Sequence, residues 1–210
     1  MARAEPRLQV REPRAFGLGA LVRVHAYGLF LVVPVLLAAM WLSVSGTSLY
    51  ALLLPFGALA VTCVFLPFGL GNSCISRLVR RSVNSTSSAS ERFIVQMTAT
   101  PRLRTGLRAV LEDADDVGWL SIEGSDLRFE GDSVELKIPR EAVAGIRPEN
   151  IGLRTLFVYG PRLALEVRGF DNLNCVEFAE RSSLLLPASR RTSRQMRQTV
   201  EKWAGNRAGP

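Results

Sequence analysis

The sequence predicts an α-helical transmembrane hairpin followed by a mainly-β domain of about seven antiparallel strands, capped by a C-terminal helix. Three observations predict it. Ala26 to Gly71 is a 46-residue run without Asp, Glu, Lys, Arg or His. From Phe93 to Ala179, short runs alternate apolar and polar residues with period two, separated by turn residues. Near the end, Met196, Val200 and Trp203 recur at helical spacing among arginines.

The uncharged run is long enough for two spans of about 20 residues and a turn. The turn falls at Ser45-Gly46-Thr47-Ser48, so Ala26 to Val44 reads as the first membrane helix and Leu49 to Gly71 as the second. Lipid offers the backbone no hydrogen bonds, which makes both spans helical. Pro34, Pro55 and Pro67 then kink them. Tyr27, Trp41 and Tyr50 fall near the span ends, where amphipathic rings anchor at the headgroup level. Arg3, Arg7, Arg11, Arg14 and Arg23 precede the run, Arg77, Arg80 and Arg81 follow it, and the turn has no charge. By the positive-inside rule both termini are cytoplasmic, and Arg77, Arg80 and Arg81 join the interface anchors. A cleaved signal peptide is the rival reading, and the length of the run and of its charged lead-in argue against it.

The expected organisation is a basic cytoplasmic flank (1–25), the hairpin (26–71), an Arg- then Ser-rich juxtamembrane linker (72–90), a β domain with its helix (91–205) and a tail (206–210). The predicted strands are Phe93 to Ala99, Val117 to Glu123, Leu127 to Glu130, Val134 to Ile138, Leu156 to Tyr159, Leu163 to Val167 and Cys175 to Ala179. Gly124-Ser125-Asp126, Gly131-Asp132-Ser133, Gly160-Pro161 and Gly169-Phe170-Asp171-Asn172 supply turn chemistry between them. Ala188 to Ala204 lacks strand patterning and reads as an amphipathic helix stopped by Gly205.

Gly118-Trp119-Leu120-Ser121-Ile122, Leu127-Arg128-Phe129, Val134-Glu135-Leu136-Lys137-Ile138-Pro139, Val143 and Ile146 together resemble the pleckstrin-homology-like fold, in its GRAM-like and bacterial members. The resemblance covers residues 92 to 205. It implies two near-orthogonal sheets with one open corner plugged by the helix. Members that bind phosphoinositides cluster Lys and Arg in the first inter-strand loop. Here that region offers Arg102, Arg104 and Arg108, followed by Glu112, Asp113, Asp115 and Asp116, and the acids argue against such a pocket.

The net charge of +7 is unevenly spread. Residues 1–91 carry +5, residues 92–187 carry −3 and residues 188–210 carry +5. A uniformly basic domain would point to nucleic acid; this distribution points to anionic headgroups instead, and nucleic acid is not expected. The 24 Arg against 2 Lys point to a GC-rich, bacterial genome, hence an inner-membrane, multi-pass localisation.

Enzymatic readings find little support. With His25 the single histidine, Ser-His-Asp, Cys-His and His-containing zinc sites cannot be assembled. Asp113, Asp115 and Gly118 match parts of a calcium loop, but its closing bidentate carboxylate is missing, because Gly124 stands there. No phosphate cradle of the Walker or dinucleotide type is present. The expectation is a non-enzymatic, membrane-anchored binding or scaffold protein without cofactor or metal. Arg190, Arg191, Arg194, Arg197 and Lys202 are its candidate contact with an anionic surface, either lipid headgroups or an acidic partner, and a protein partner or homo-oligomer is open for the chain as a whole. The alternative is an accessory subunit of a larger membrane complex, packing through the hairpin.

Overall fold

The computed structural model describes residues 6–45, 57, 71–83, 91–107, 113–149 and 161–205. Eight antiparallel strands form one sheet: β1 (Arg7–Val10), β2 (Arg92–Thr100), β3 (Asp116–Glu123), β4 (Asp126–Gly131), β5 (Val134–Pro139), β6 (Val143–Glu149), β7 (Arg162–Val167) and β8 (Cys175–Glu180). Their order across the sheet is β1-β5-β4-β3-β2-β8-β7-β6. Helix α1 (Leu18–Val44) lies between β1 and β2, residues 71–82 form helix α2, and α3 (Leu186–Gly205) follows β8.

Local chemistry sets the hairpins. Glu123 pairs with Asp126, leaving Gly124 and Ser125 as a two-residue turn, and Gly124 takes φ +60°, where a side chain would be strained. The sheet curls. Neighbouring strands are about 4.8 Å apart, so β4 and β8, three places apart in the order, would be about 14 Å apart if the sheet were flat. Yet the rings of Phe129 on β4 and Phe178 on β8 have centroids 5.8 Å apart. Curling brings Phe93, Val95, Met97, Leu120, Phe129, Leu136, Leu163 and Phe178 into one core, which Met196, Val200 and Trp203 of α3 close. Each such apolar side chain stabilises the fold by roughly 1.5–3 kcal/mol when fully buried.

Strand β2 is buried on both faces. Phe93, Val95, Met97 and Ala99 enter the main core, while Ile94 points the other way, into a second cluster with Phe16, Leu21, Ile75, Val79, Val83, Ala114 and Val117. The first turns of α1 and the length of α2 therefore pack on the back of the sheet. Asp132 reinforces this: its Oδ2 accepts the backbone N–H groups of Ala15 and Phe16 at 2.8 Å each. Asn72 Nδ2 donates to Ser183 O at 2.6 Å and ties the start of α2 to the segment that leads into α3.

Among the described residues six of the eight strands match expected ones, and two lie outside the sequence expectation. Arg7–Val10, read as part of the basic flank, adds to the edge of β5 in the register Arg7 to Lys137 and Val10 to Val134. Four residues carry too little period-two pattern to signal a strand, and the open edge of β5 recruits them. Val143–Glu149 pairs with β7 through an irregularity between Val143 and Gly145, which breaks the alternation a strand would show. The predicted strand Leu156 to Tyr159 lies outside the described residues.

The membrane architecture is corrected. The first expected span, Ala26 to Val44, lies inside α1, which begins earlier, at Leu18, takes in Arg23 and is fastened to the β domain by its leading turns. Among the described residues, no helix is long and apolar enough to cross a membrane. The second expected span, Leu49 to Gly71, lies outside the described residues except for Gly57 and Gly71. The transmembrane hairpin and the multi-pass inner-membrane localisation with both termini cytoplasmic are therefore withdrawn. The anchoring role read for Tyr27, Trp41, Tyr50, Arg77, Arg80 and Arg81 rested on those spans, and Tyr50 lies outside the described residues. The physical reason is that a missing charge records what a segment avoids, not what covers it. The part of α1 that protein covers, Phe16 and Leu21, lies ahead of the uncharged run, whereas Phe30, Leu37, Met40, Trp41 and Val44 within the run are exposed.

Candidate functional site

The basic residues singled out in the sequence sit on α3. Ser189, Ser193, Met196, Val200 and Trp203 are its buried positions, spaced four, three, four and three residues apart, a continuous stripe down one side. The sequence pattern revealed only the last three, because Ser189 and Ser193 are polar. At 3.6 residues per turn, Arg190, Arg194 and Arg197 fall on one flank of the opposite face and Arg191 and Lys202 on the other. Arg190, Arg191, Arg194 and Lys202 are exposed and Arg197 is half-buried. Arg197 Nε lies 3.5 Å from Glu201 Oε1, the single acid on the helix, and Arg194 Nε donates to Arg190 O at 3.3 Å. Arg190, Arg191, Arg194 and Lys202 are thus on the solvent side of one helix, with Arg197 at its border. Its other side is held by the core and by a hydrogen bond from Thr199 Oγ1 to Glu91 Oε2 (3.0 Å).

Of the residues first read as interface anchors, Trp41 is exposed near the end of α1. Arg77, Arg80 and Arg81 are exposed on α2, where Arg77 Nε donates to Ser73 O at 3.2 Å. Tyr50 lies outside the described residues, and Tyr27 is a helical position of α1.

The arginines of the first inter-strand loop are committed internally. Arg102 reaches Asp113 Oδ1 at 2.8 Å and Asp115 Oδ1 at 3.3 Å. Arg104 donates from Nη2 to Arg11 O at 2.6 Å and from its backbone N–H to Asp115 Oδ1 at 2.9 Å. Arg108 lies outside the described residues. Arg162, almost fully buried, joins the same cluster: its Nη2 meets Asp113 Oδ2 at 2.8 Å, and its Nη1 meets Glu177 Oε2 at 3.0 Å and Thr98 Oγ1 at 3.3 Å. Burial pushes the Asp113 carboxyl up, but Arg162 and Arg102 outweigh it and hold the group below the usual carboxylate range. Such paired charges orient one another, and Arg102, Arg104 and Arg162 are thereby committed to acceptors within the protein.

Of the acids that follow Arg108, Glu112 lies outside the described residues and Asp113 is half-buried. Asp115 and Asp116 are fully buried. They cap backbone: Asp115 Oδ2 accepts from Ala99 N (2.8 Å), and Asp116 Oδ2 accepts from Ser133 N and Val134 N (2.7 Å each). Burial raises the Asp116 carboxyl to about 6, against those N–H groups and with a smaller upward push from the charge of Asp132. A sequence signal did exist, since Asp next to the glycines and serines of a turn is a typical backbone acceptor. No family model matches this chain, and neither a curated protein nor a solved structure matches it.

Proposed function

We propose that this chain is a non-enzymatic binding module, a pleckstrin-homology-like domain that contacts an anionic lipid surface through the outer face of α3. The curled antiparallel sheet with a C-terminal helix packed on its core supports the domain assignment. The observation that carries the functional reading is the placement of Arg190, Arg191, Arg194 and Lys202, all exposed and opposite the buried stripe. A helix held along one side presents its other side as a fixed array, so the charges act on a surface together rather than singly. Each Lys or Arg near an anionic membrane surface contributes about 1 kcal/mol, and the contact weakens with salt because the screening length is about 8 Å at physiological ionic strength.

The test is flotation of the full chain with phosphatidylcholine vesicles, with and without phosphatidylserine. Replacing Arg190, Arg191, Arg194 and Arg197 by Gln removes the charge and keeps good helix formers. Four cations at about 1 kcal/mol each, discounted for screening, predict at least a roughly tenfold loss of binding to anionic vesicles. Equal flotation of both proteins, or none by either, rejects the contact and leaves α3 as a structural closure of the core.

A further inference from the structure

Two consecutive leucines lead into α3 in full contact with water. Leu184 and Leu185 are 57% and 59% exposed. The turn that carries them is nevertheless pinned from beneath. Glu180 is buried, and its Oε1 accepts from the backbone N–H groups of Ser182 (2.6 Å) and Ser183 (2.7 Å) and from their hydroxyls (2.6 and 2.9 Å). Ser183 O accepts from Asn72 Nδ2 at 2.6 Å, and Leu185 O accepts from Ser189 N at 2.9 Å. With backbone fixed on both sides of the pair, the two side chains are held outward, where any apolar cover is favourable.

The charges that follow say which cover fits. No Asp or Glu lies between Glu180 and Glu201. Arg191 and Arg194 are exposed on α3, about 9 and 14 Å along the helix axis from Leu185 at 1.5 Å per residue. A single exposed leucine is ordinary, but an adjacent pair at the head of a face with one sign of charge matches the boundary of an anionic bilayer. There apolar groups enter the headgroup and acyl boundary by about 5–10 Å, while cations stay among the headgroups. The offset between Leu185 and Arg191 is of that size.

We infer that Leu184 and Leu185 form a wedge that inserts into an anionic lipid surface, entering the acyl boundary while Arg191 and Arg194 engage the headgroups. This rests on the lipid contact proposed for α3 and adds to it a component that salt does not screen.

Flotation of the full chain with phosphatidylcholine and phosphatidylserine vesicles at about 0.1 M and about 1 M NaCl, where charges are screened over about 10 Å and about 3 Å, tests it. Binding that persists at the higher salt reports the leucines. Leu184→Gln with Leu185→Gln, both at exposed positions, should lower that residual binding at least about tenfold, since roughly half of each side chain no longer leaves water for an apolar medium. Should this pair shift the urea midpoint, the single variants Leu184→Gln and Leu185→Gln decide by the same measurement. Leu184→Lys with Leu185→Lys separates insertion from charge: added cations would tighten a purely electrostatic contact at both salts, whereas loss of the wedge removes binding at the higher one. The variant with Gln at 190, 191, 194 and 197 reports the underlying reading. If it loses anionic binding while the leucine variants float as the wild type does at both salts, the wedge is overturned and the electrostatic contact stands. If no protein distinguishes vesicles with phosphatidylserine from those without, both are overturned. A dimer in sedimentation that the Gln pair dissolves, with vesicle binding unchanged, would give the leucines to a second copy of the chain and overturn insertion.

Discussion

The titration of Asp116 should be visible in the folding equilibrium. Its carboxyl is fully buried, its Oδ2 accepts two backbone N–H groups, and its Oδ1 has no hydrogen-bond partner among the described residues. Burial raises it from 3.8 to about 6. The folded protein thus holds this proton more tightly than the unfolded chain does, and folding takes up a proton between those two values. Below 3.8 both states are protonated and the contribution is fully present; it is lost as pH rises toward 6, and stays lost above it. At 1.36 kcal/mol per tenfold change in proton affinity, the loss between about pH 4 and about pH 7 comes to about 3 kcal/mol. Asp113 is displaced the other way, so its contribution is lost only as pH falls through its lowered value, below this window. Asp116→Asn provides the control, since an amide oxygen can accept the same two N–H groups without a charge. Urea unfolding of both proteins from about pH 4 to about pH 7 should show the wild type losing about 3 kcal/mol relative to the variant. If the gap between the two stays constant over that range, Asp116 does not titrate in it and the argument from burial fails.

Two further perturbations probe the contacts that hold the layers together. A Cβ built on Gly118 would lie 2.1 Å from Glu130 O and 2.5 Å from the Cα of Gly131, both backbone atoms that cannot swing away. Gly118→Ala should therefore force β3 from β4 and cost at least the upper end of the roughly 1–3 kcal/mol typical of overpacking, read as a lower urea midpoint. Asp132→Ala leaves the N–H groups of Ala15 and Phe16 without their acceptor. It should cost about 1–3 kcal/mol and speed amide exchange at those two residues, while exchange in β7 and β8, far across the sheet, stays slow.

What could be read in the sequence was whatever depended on neighbours close in the chain. Period-two alternation placed six strands from Phe93 onward to within a residue or so, because a pleated strand turns alternate side chains to one core whatever else surrounds it, and it missed Val143–Glu149, where the pairing is irregular. The stripe of Met196, Val200 and Trp203 located the helix that closes that core, and the arginines between those positions had to face away from it. Tertiary structure decided what depends on distant parts of the chain. Arg7–Val10 is a strand because β5 has an open edge. Asp115 and Asp116 are buried because backbone N–H groups from neighbouring segments converge on them, where the chain order showed only a run of acids. The same distinction explains the withdrawn hairpin. Hydropathy picked out the uncharged run alone, but only the folded chain shows that α1 enters that run from Phe16 and Leu21, which are covered by α2 and the back of the sheet. The local pattern depends on the geometry of one element, which its own residues set, while the identity of the covering surface is a contact between elements, which no single stretch encodes.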